Sequence, residues 1–204
     1  MSATGRSDVR RGDDFYATPQ WCVHRLLEAL PLHDGAWLEP CAGDGAIIRA
    51  VRTSGADPTW TAYEIRPEAE PELRRLPGLG KLRCGSRGNF LVAVAERNRD
   101  ERAFDVVLTN PPFSSAMEFI EACLPLASTV CMLLRLNFLA SERRAAFMRA
   151  TPPDVYVLPN RPSFTGGGTD ATEYCWAVWP PERQRSAGSL RVLSTTPTRV
   201  RGCP

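Results

Sequence analysis

The chain has 204 residues, 43% of them hydrophobic and 24% charged, which is typical of a globular domain with one sizeable core. No apolar run approaches the roughly 20 residues of a membrane helix, so we expect no membrane partner. A formal net charge of +2 does not by itself indicate a nucleic-acid partner. Nearly all the positive charge is arginine, however, which suits bidentate phosphate contacts.

The cysteines and the first residues indicate a reducing compartment. Seven cysteines are scattered along the chain without a C-x-x-C pair or a histidine cluster. An odd number of unpaired cysteines does not fit a disulfide framework, and tetrahedral zinc sites need clustered ligands, so we expect no metal. Residues 1–14 are polar and charged, unlike a secretion signal. The predicted location is the cytoplasm.

The hydrophobic pattern predicts one domain at 15–180, between a disordered tail at 1–14 and a polar, arginine-rich tail at 181–204. The first helix is predicted to have Thr18 as its cap and Pro19 as its first residue, and to end before Pro31. Further helices are predicted at 46–55, 115–127 and 141–150, the last with Ser141 as its cap, and residues 68–76 are predicted as a short helix or an ordered loop interrupted by Pro71. Strands are predicted at 36–40, 59–65, 81–85, 104–110, 129–136, 154–159 and 173–180, with a further candidate at 190–194.

This alternation of strands and helices predicts an α/β fold with a doubly wound, mostly parallel sheet. The last two of the seven main strands have no helix between them, which predicts an antiparallel pair at one edge. In such sheets ligands bind beyond the carboxyl ends of the strands. We therefore expect residues 39–45, Glu64 and residues 110–113 to lie on one rim.

The loop "EPCAGDG" at 39–45 follows the first strand. Gly43 and Gly45 permit a left-handed backbone and a close approach to a ligand. No Lys-Ser/Thr pair follows, so this is not a phosphate-binding P-loop. Glu39 and Asp44 would repel phosphate, and the loop therefore fits a cationic or zwitterionic ligand, or else is an ordinary strand-to-helix turn.

Two further strand ends add polar and aromatic groups to the rim. Glu64 ends the second strand, where a carboxylate can accept hydrogen bonds from ribose hydroxyls. Asn89 and Phe90 follow the third strand, where an amide can pair with an adenine edge and an aromatic ring can flank the base. Together with the glycine loop, these residues predict a pocket for an adenosine that carries a charged tail.

Four segments resemble those of class I S-adenosylmethionine-dependent methyltransferases that methylate amino groups. "NPPF" at 110–113 resembles the N/D-P-P-Y/F signature, and "EPCAGDG" resembles the cofactor loop E/D-P-x-x-G-x-G. "FYATP" at 15–19 resembles the F-x-T-P segment that contacts the methionine moiety. "RPSF" at 161–164 resembles the late segment of small phage-type enzymes. Their order resembles the gamma arrangement of DNA adenine-N6 methyltransferases.

The resemblance implies a seven-stranded Rossmann-like methyltransferase sheet, S-adenosyl-L-methionine as cofactor and DNA as partner, with RNA as an alternative. The implied cofactor-binding residues are Phe15, Tyr16, Thr18, Pro19, Glu39, Pro40, Cys41, Ala42, Gly43, Asp44, Gly45, Glu64, Ile65, Asn89, Phe90 and Asn110. The implied catalytic residues are Asn110, Pro111, Pro112 and Phe113, and Phe113, Arg161 and Phe164 are implied to bind the target base. The family commonly has Asp at the position of Asn89, whose amide can both accept and donate.

The chemistry of "NPPF" follows from the weak nucleophilicity of an exocyclic amino group, whose lone pair is delocalised into the ring. The side-chain oxygen of Asn110 and the carbonyl of Pro111 can accept its two hydrogens, and Pro111 and Pro112 fix the carbonyl direction. Phe113 would stack on the base, and Phe164 would cover the opposite face. Such a base must leave the duplex or be single-stranded at the start.

Other substrates of the same chemistry remain open: adenine-N6 in RNA, cytosine-N4 in DNA, and protein glutamine. A cofactor-binding subunit without activity is a further alternative. Cys41 is on the cofactor loop, which is the wrong position for a cytosine-C5 nucleophile. Since the chain has little room for a recognition domain, target recognition is expected from the loop at 165–170, the arginine-rich tail, a separate specificity partner or a homodimer.

Overall fold

A computed structural model of the chain describes residues 17–96, 102–164, 170–181 and 188–197. Several predicted features lie outside these ranges, namely the tail at 1–14, Phe15, Tyr16, residues 165–169 of the loop at 165–170, and most of the C-terminal tail. In the described ranges, no helix has both the length and the apolar character needed to span a bilayer.

The described residues form six α-helices and eight strands. The helices are α1 (Gln20–Ala29), α2 (Ala46–Thr53), α3 (Glu70–Leu73), α4 (Phe90–Ala95), α5 (Ala116–Cys123) and α6 (Ala145–Ala150). The strands are β1 (Ala36–Glu39), β2 (Thr59–Glu64), β3 (Leu79–Cys84), β4 (Phe104–Thr109), β5 (Ala127–Arg135), β6 (Asp154–Val157), β7 (Tyr174–Trp179) and β8 (Leu190–Val192).

All eight strands belong to one sheet with the order β3-β2-β1-β4-β5-β7-β6-β8. Its pairs are parallel except those of β7, which is antiparallel to both β5 and β6. The predicted doubly wound, mostly parallel sheet is therefore confirmed. The predicted antiparallel pair towards one edge is confirmed as well, because β6 and β7 pair antiparallel at that end of the sheet, and only β8 lies beyond them. Every residue of β7 is buried, which requires neighbours on both sides.

The predicted number of seven strands is corrected, because β8 adds an eighth strand. Residues 190–192 pair in parallel with β6 and form the edge of the sheet. The sheet thus extends past residue 180, where the sequence predicts the end of the domain.

Alternating side chains of the buried strands fill two hydrophobic clusters. In β1, Trp37 belongs to one cluster and Leu38 to the other, as expected for a strand with a period of two. Helix α1 is fixed to the sheet because the indole nitrogen of Trp176 in β7 donates to the carbonyl of Cys22 at 2.9 Å. This contact holds the start of α1, and Thr18 before it, at the rim of the sheet.

Local details differ from the sequence predictions at three helices. Helix α1 begins at Gln20 after Pro19, and Thr18 makes no capping bond because its hydroxyl accepts a hydrogen bond from Asn110 instead. Ser141 likewise makes no side-chain capping bond. Helix α4 was not predicted, because its sequence "FLVAVA" is apolar throughout and lacks helical periodicity.

Candidate functional site

A cavity of about 750 Å³ lies at the carboxyl ends of β1, β2 and β4. It brings together side chains from five separate parts of the sequence. The predicted site residues on its wall are Thr18, Pro40, Cys41, Ala42, Gly43, Asp44, Glu64, Ile65, Asn89, Phe90, Asn110, Pro111, Pro112 and Phe113. The binding roles of these residues stay predictions, but their common location follows from the strand order.

Asn110 is held in one orientation at the centre of this wall. Its Nδ2 donates to the hydroxyl of Thr18 at 3.1 Å, a contact between residues 92 positions apart. The Oδ1 of Asn110 is buried and accepts no hydrogen bond from the described residues. An unsatisfied buried acceptor costs about 1–3 kcal/mol, so a hydrogen bond donated to this oxygen would stabilise the wall of the cavity.

The glycine loop is tied to the end of β2. Gly43 has a φ of 60°, and its N–H donates to Oε2 of Glu64 at 2.6 Å. Oε1 of Glu64 accepts from the backbone and the Nε of Arg66, at 2.9 and 3.0 Å. A carboxylate accepts about four hydrogen bonds, so one position remains for a ribose hydroxyl. Binding two hydroxyls here requires Arg66 to move.

Glu39, which the resemblance implies to bind the cofactor, lies beneath the loop and does not belong to the cavity wall, and its role stays a prediction. It is 1% exposed, and its Oε1 accepts from the hydroxyl of Thr109 at 2.5 Å and from the N–H of Cys41 at 3.2 Å. Its Oε2 has no partner among the described residues. Burial raises the pKa of Glu39 well above its usual value, although the hydrogen bonds from Thr109 and Cys41 oppose this shift.

The raised pKa of Glu39 predicts a pH-dependent stability. A group whose pKa is higher in the folded state contributes most below its unfolded pKa of about 4.3, and loses that contribution as pH rises through the folded pKa. Glu39→Gln removes this titration. We therefore expect the free energy of unfolding of Glu39→Gln, relative to wild type, to increase as the pH rises above about 4.3 and to level off once the pH exceeds the folded-state pKa of Glu39, as measured in urea titrations. A difference in the free energy of unfolding that does not change with pH would contradict this prediction. Glu68→Gln, at an exposed position, is the matched control.

Two other residues of the predicted cofactor set, Gly45 and Pro19, lie off the cavity wall, and their binding roles stay predictions. Gly45 has a φ of 85° and precedes α2, and a Cβ there would lie 2.3 Å from the side chain of Leu76. Pro19 precedes α1, and neither Gly45 nor Pro19 lines the cavity. Asp44 is on the wall, but its charge is paired with Arg49 at 2.9 Å. The predicted repulsion of phosphate by this loop is therefore weaker than its sequence indicates.

The segment before α4 closes the far side of the cavity. Asn89 caps α4, because its Oδ1 accepts from the N–H of Val92 at 3.3 Å. Phe90 is buried, with its ring centroid 5.3 Å from Tyr63 and 5.7 Å from Phe119. Gly88, which the sequence reasoning missed, also lines the cavity, and a Cβ there would lie only 1.9 Å from the carbonyl oxygen of Glu64.

An aromatic cluster lies next to "NPPF". The ring of Phe113 is 5.7 Å from that of Tyr174, which in turn meets Phe164 edge-on at 5.1 Å. The guanidinium of Arg135 lies over the Phe113 ring, 4.3 Å from its centroid. Phe164 does not line the cavity, and Arg161 is on the exposed surface in an ion pair with Glu173.

The sequence reasoning missed Arg135 and Tyr174. The available signal was the position of Arg135, a charged residue at the carboxyl end of an otherwise apolar strand. That strand, β5, neighbours β4, so its end lies on the same rim as "NPPF". Among the described residues, no group of three histidine, cysteine or acidic side chains is placed to hold a metal ion.

No protein-family model matches the sequence, and no curated protein does. Among solved structures, the chain is similar to the modification subunit of a proposed type I restriction enzyme from Vibrio vulnificus, with a TM-score of 0.61 and 18% identity. That match covers 88% of this chain and 46% of the subunit, so the chain spans less than half of the subunit's length.

The chain is also similar to a proposed RNA methyltransferase from Pyrococcus horikoshii, with a TM-score of 0.60, 18% identity and coverage of 81% of this chain and 87% of that one. A third similar structure is the 23S rRNA methyltransferase ErmE, with a TM-score of 0.58, 17% identity and coverage of 87% and 72%. These likenesses show that the chain has the Rossmann-like fold of methyltransferases.

Proposed function

We propose that this protein transfers a methyl group from S-adenosylmethionine to the exocyclic N6 amino group of adenine in DNA, with the base turned out of the duplex. The observation that carries the proposal is the buried, unpartnered Oδ1 of Asn110 on the wall of a 750 Å³ cavity. An amino group offers the donor that this oxygen lacks. The methyltransferase fold and the "NPPF" resemblance support the same chemistry.

The cavity fits the proposed cofactor. Its volume is within the range of about 300–1,000 Å³ that small-molecule sites have, and it combines apolar walls with a few polar groups. Residues 40–44 would hold the amino-acid part, and Glu64 the ribose. Ile65 and Phe90 would flank the adenine, and Asn89 would meet its edge. The cofactor supplies an electrophilic methyl group on a positively charged sulfur.

The residues of "NPPF" orient the nucleophile. Asn110 Oδ1 accepts one hydrogen of the amino group, and the carbonyl of Pro111 accepts the other. The two bonds favour a tetrahedral nitrogen whose lone pair is free to attack the methyl carbon, while the carbon–sulfur bonding electrons return to sulfur. The extra proton of the nitrogen then leaves to solvent. No histidine of the described residues lines the cavity, and none is required for this step.

Phe113 supplies a flat apolar surface for the base. Its ring borders the cavity and is held from one side by Arg135 and Tyr174. Positioning of this kind carries a large part of the rate in a displacement reaction. Phe164 reaches the base only through its contact with Tyr174 or after a rearrangement, since it is not on the wall of the cavity.

The target polymer and the source of specificity belong to the proposal as well. The modification subunit of a restriction enzyme favours DNA, whereas the two RNA methyltransferases make RNA the second candidate. A separate specificity partner or a homodimer for the recognition of a DNA sequence remains part of this proposal.

The test is to incubate the purified protein with radiolabelled cofactor and duplex DNA, single-stranded DNA, RNA or glutamine peptides, and to digest the products. Recovery of N6-methyladenine from DNA is the expected result. Recovery of N4-methylcytosine would show that the target base is cytosine, and labelled RNA or glutamine peptide would show that the substrate is not DNA. The proposed role of Asn110 would stand in either case. Tight cofactor binding without any transfer would replace the proposal by that of a cofactor-binding subunit.

The hydrogen bond between Thr18 and Asn110 gives a separate prediction. Thr18→Val keeps the shape of the side chain but removes the acceptor, so the amide is free to turn its NH₂ towards the substrate. We expect kcat to fall about tenfold, because a lost hydrogen bond is worth about 1 kcal/mol or slightly more. Thr18→Ser, which keeps the hydroxyl, should retain activity. Equal rates for the two variants would exclude an orienting role for Thr18.

A further inference from the structure

We propose that Arg135, Tyr174 and Asp170 form a hydrogen-bonded chain that positions Phe113 for the target base. This inference rests on the proposed function, because it assigns the residues that support the base-stacking ring. None of the three residues was singled out by the sequence motifs. Each is a positioning residue, since it acts on the base through Phe113.

Arg135 covers one face of the Phe113 ring. It is the last residue of β5, partly buried, and its guanidinium carbon lies 4.3 Å from the ring centroid. Cation–π contacts of this kind contribute about 0.5–2 kcal/mol, depending on desolvation. Because the guanidinium covers one face, a planar base can stack only on the other. The contact therefore decides both the tilt of the ring and the side from which the base approaches.

Tyr174 holds Arg135 in place. The two residues are paired across the antiparallel strands β5 and β7. The Nε of Arg135 donates to the Tyr174 hydroxyl at 3.3 Å, and that hydroxyl donates to Oδ2 of Asp170 at 2.6 Å. Burial raises the pKa of Tyr174 to about 12, so the hydroxyl keeps its proton over the whole working range of pH.

Asp170 provides the negatively charged end of this hydrogen-bonded chain of side chains. Partial burial acts to raise its pKa, but hydrogen bonds from Tyr174 and Thr172 outweigh this, so the pKa is lowered and the carboxylate stays charged. Its backbone N–H donates to the carbonyl of Pro162 at 2.8 Å, which fixes Asp170 beside the "RPSF" segment. The carboxylate of Asp170 thus balances the charge of Arg135 within the protein. This favours a role of Arg135 in positioning Phe113 over a role in binding a phosphate of the nucleic acid.

Tyr174 also joins the two predicted base-binding rings. Its fully buried ring contacts Phe113 at 5.7 Å and Phe164 at 5.1 Å. A change at its hydroxyl alone should therefore alter the support of Phe113 without removing this aromatic packing. Tyr174→Phe makes that change with no loss of ring volume, and Arg135→Lys keeps the charge but removes the planar group and its Nε.

The first measurement uses the protein alone. Fluorophenylalanine is incorporated, and the Phe113 signal in the fluorine NMR spectrum is assigned with Phe113→Leu. Tyr174→Phe and Arg135→Lys are expected to shift or broaden this signal, whereas Tyr156→Phe, a buried tyrosine in β6, should leave it unchanged. An unchanged Phe113 signal in both variants would overturn the inference, whether or not the protein methylates DNA.

The second measurement is steady-state methylation of DNA. Misplacement of the ring that stacks on the base slows the methyl transfer, so each variant is expected to lower kcat by about tenfold or more, with unchanged KM for the cofactor. Because both residues belong to the same hydrogen-bonded chain of side chains, the double variant should have a kcat little lower than that of either single variant. A raised KM for DNA with a weaker salt dependence and an unchanged kcat would indicate a phosphate contact and overturn the inference. A wild-type protein that methylates nothing would instead refute the proposed function, while the NMR result stands on its own.

Discussion

Asn110→Ala is expected to lower kcat by about 10²–10³-fold, the cost of removing one hydrogen-bonding group that acts mainly in the transition state. The affinity for the cofactor should be nearly unchanged. The reason is that Oδ1 has no hydrogen-bond partner among the described residues, and in the proposed reaction it accepts from the amino group of the substrate, not from the cofactor. Single-turnover methylation and calorimetry with S-adenosylhomocysteine measure the two effects separately.

The same variant makes an unusual prediction for stability. Asn110→Ala removes a buried acceptor whose lack of a partner costs about 1–3 kcal/mol, and it loses one hydrogen bond to Thr18 worth about 1 kcal/mol. The two effects nearly cancel, so the melting temperature should not fall. A loss of activity without a loss of stability distinguishes a catalytic amide from a structural one.

Two further variants control the interpretation. Asn110→Asp keeps an acceptor at this position and should recover part of the activity that alanine loses. Asn137→Ala removes an exposed amide after the neighbouring strand β5 and should behave as wild type. Full activity of Asn110→Ala would refute the proposed role of this residue.

The fold was largely predictable because its signals are local. Strand β4 is a near-continuous apolar run, and α1 is marked by apolar residues at helical spacing and by Pro31. The position of β7 between β5 and β6 was not predictable, because strand order depends on contacts between distant segments. Its uniform burial shows in retrospect why "YCWAVW" could not form an edge.

The candidate site was predictable to the level of strand ends, but its internal contacts were not. The carboxyl ends of parallel strands all lie at the same edge of a sheet, so the location of Asn110 and Glu64 followed from the alternation of strands and helices. Whether an acid there faces the ligand depends on backbone details, and Glu39 proves to be buried beneath the loop. Long-range partners such as Thr18 for Asn110 leave no trace in a single sequence.

Gly88→Ala is expected to disturb the proposed adenosine side of the cavity most strongly. A Cβ at this position would lie 1.9 Å from the carbonyl oxygen of Glu64 and 3.0 Å from that of Arg83, and backbone atoms cannot yield as side chains do. The turn that carries Asn89 and Phe90 must therefore move away from β2. We expect overpacking to cost about 1–3 kcal/mol of the free energy of unfolding. The Kd for S-adenosylhomocysteine should rise at least about tenfold, equivalent to 1.4 kcal/mol.

A second glycine separates the effect on the cavity from a general loss of stability. Gly55 ends α2 with a φ of 94°, and an added Cβ there meets no atom within 4 Å. Gly55→Ala should therefore cost about 1–2 kcal/mol through backbone strain alone, with no change in cofactor affinity. If Gly88→Ala and Gly55→Ala were equally destabilised and bound S-adenosylhomocysteine equally well, the turn before α4 would not be part of the adenosine site. In that case the close packing of Gly88 against β2 would serve only the fold.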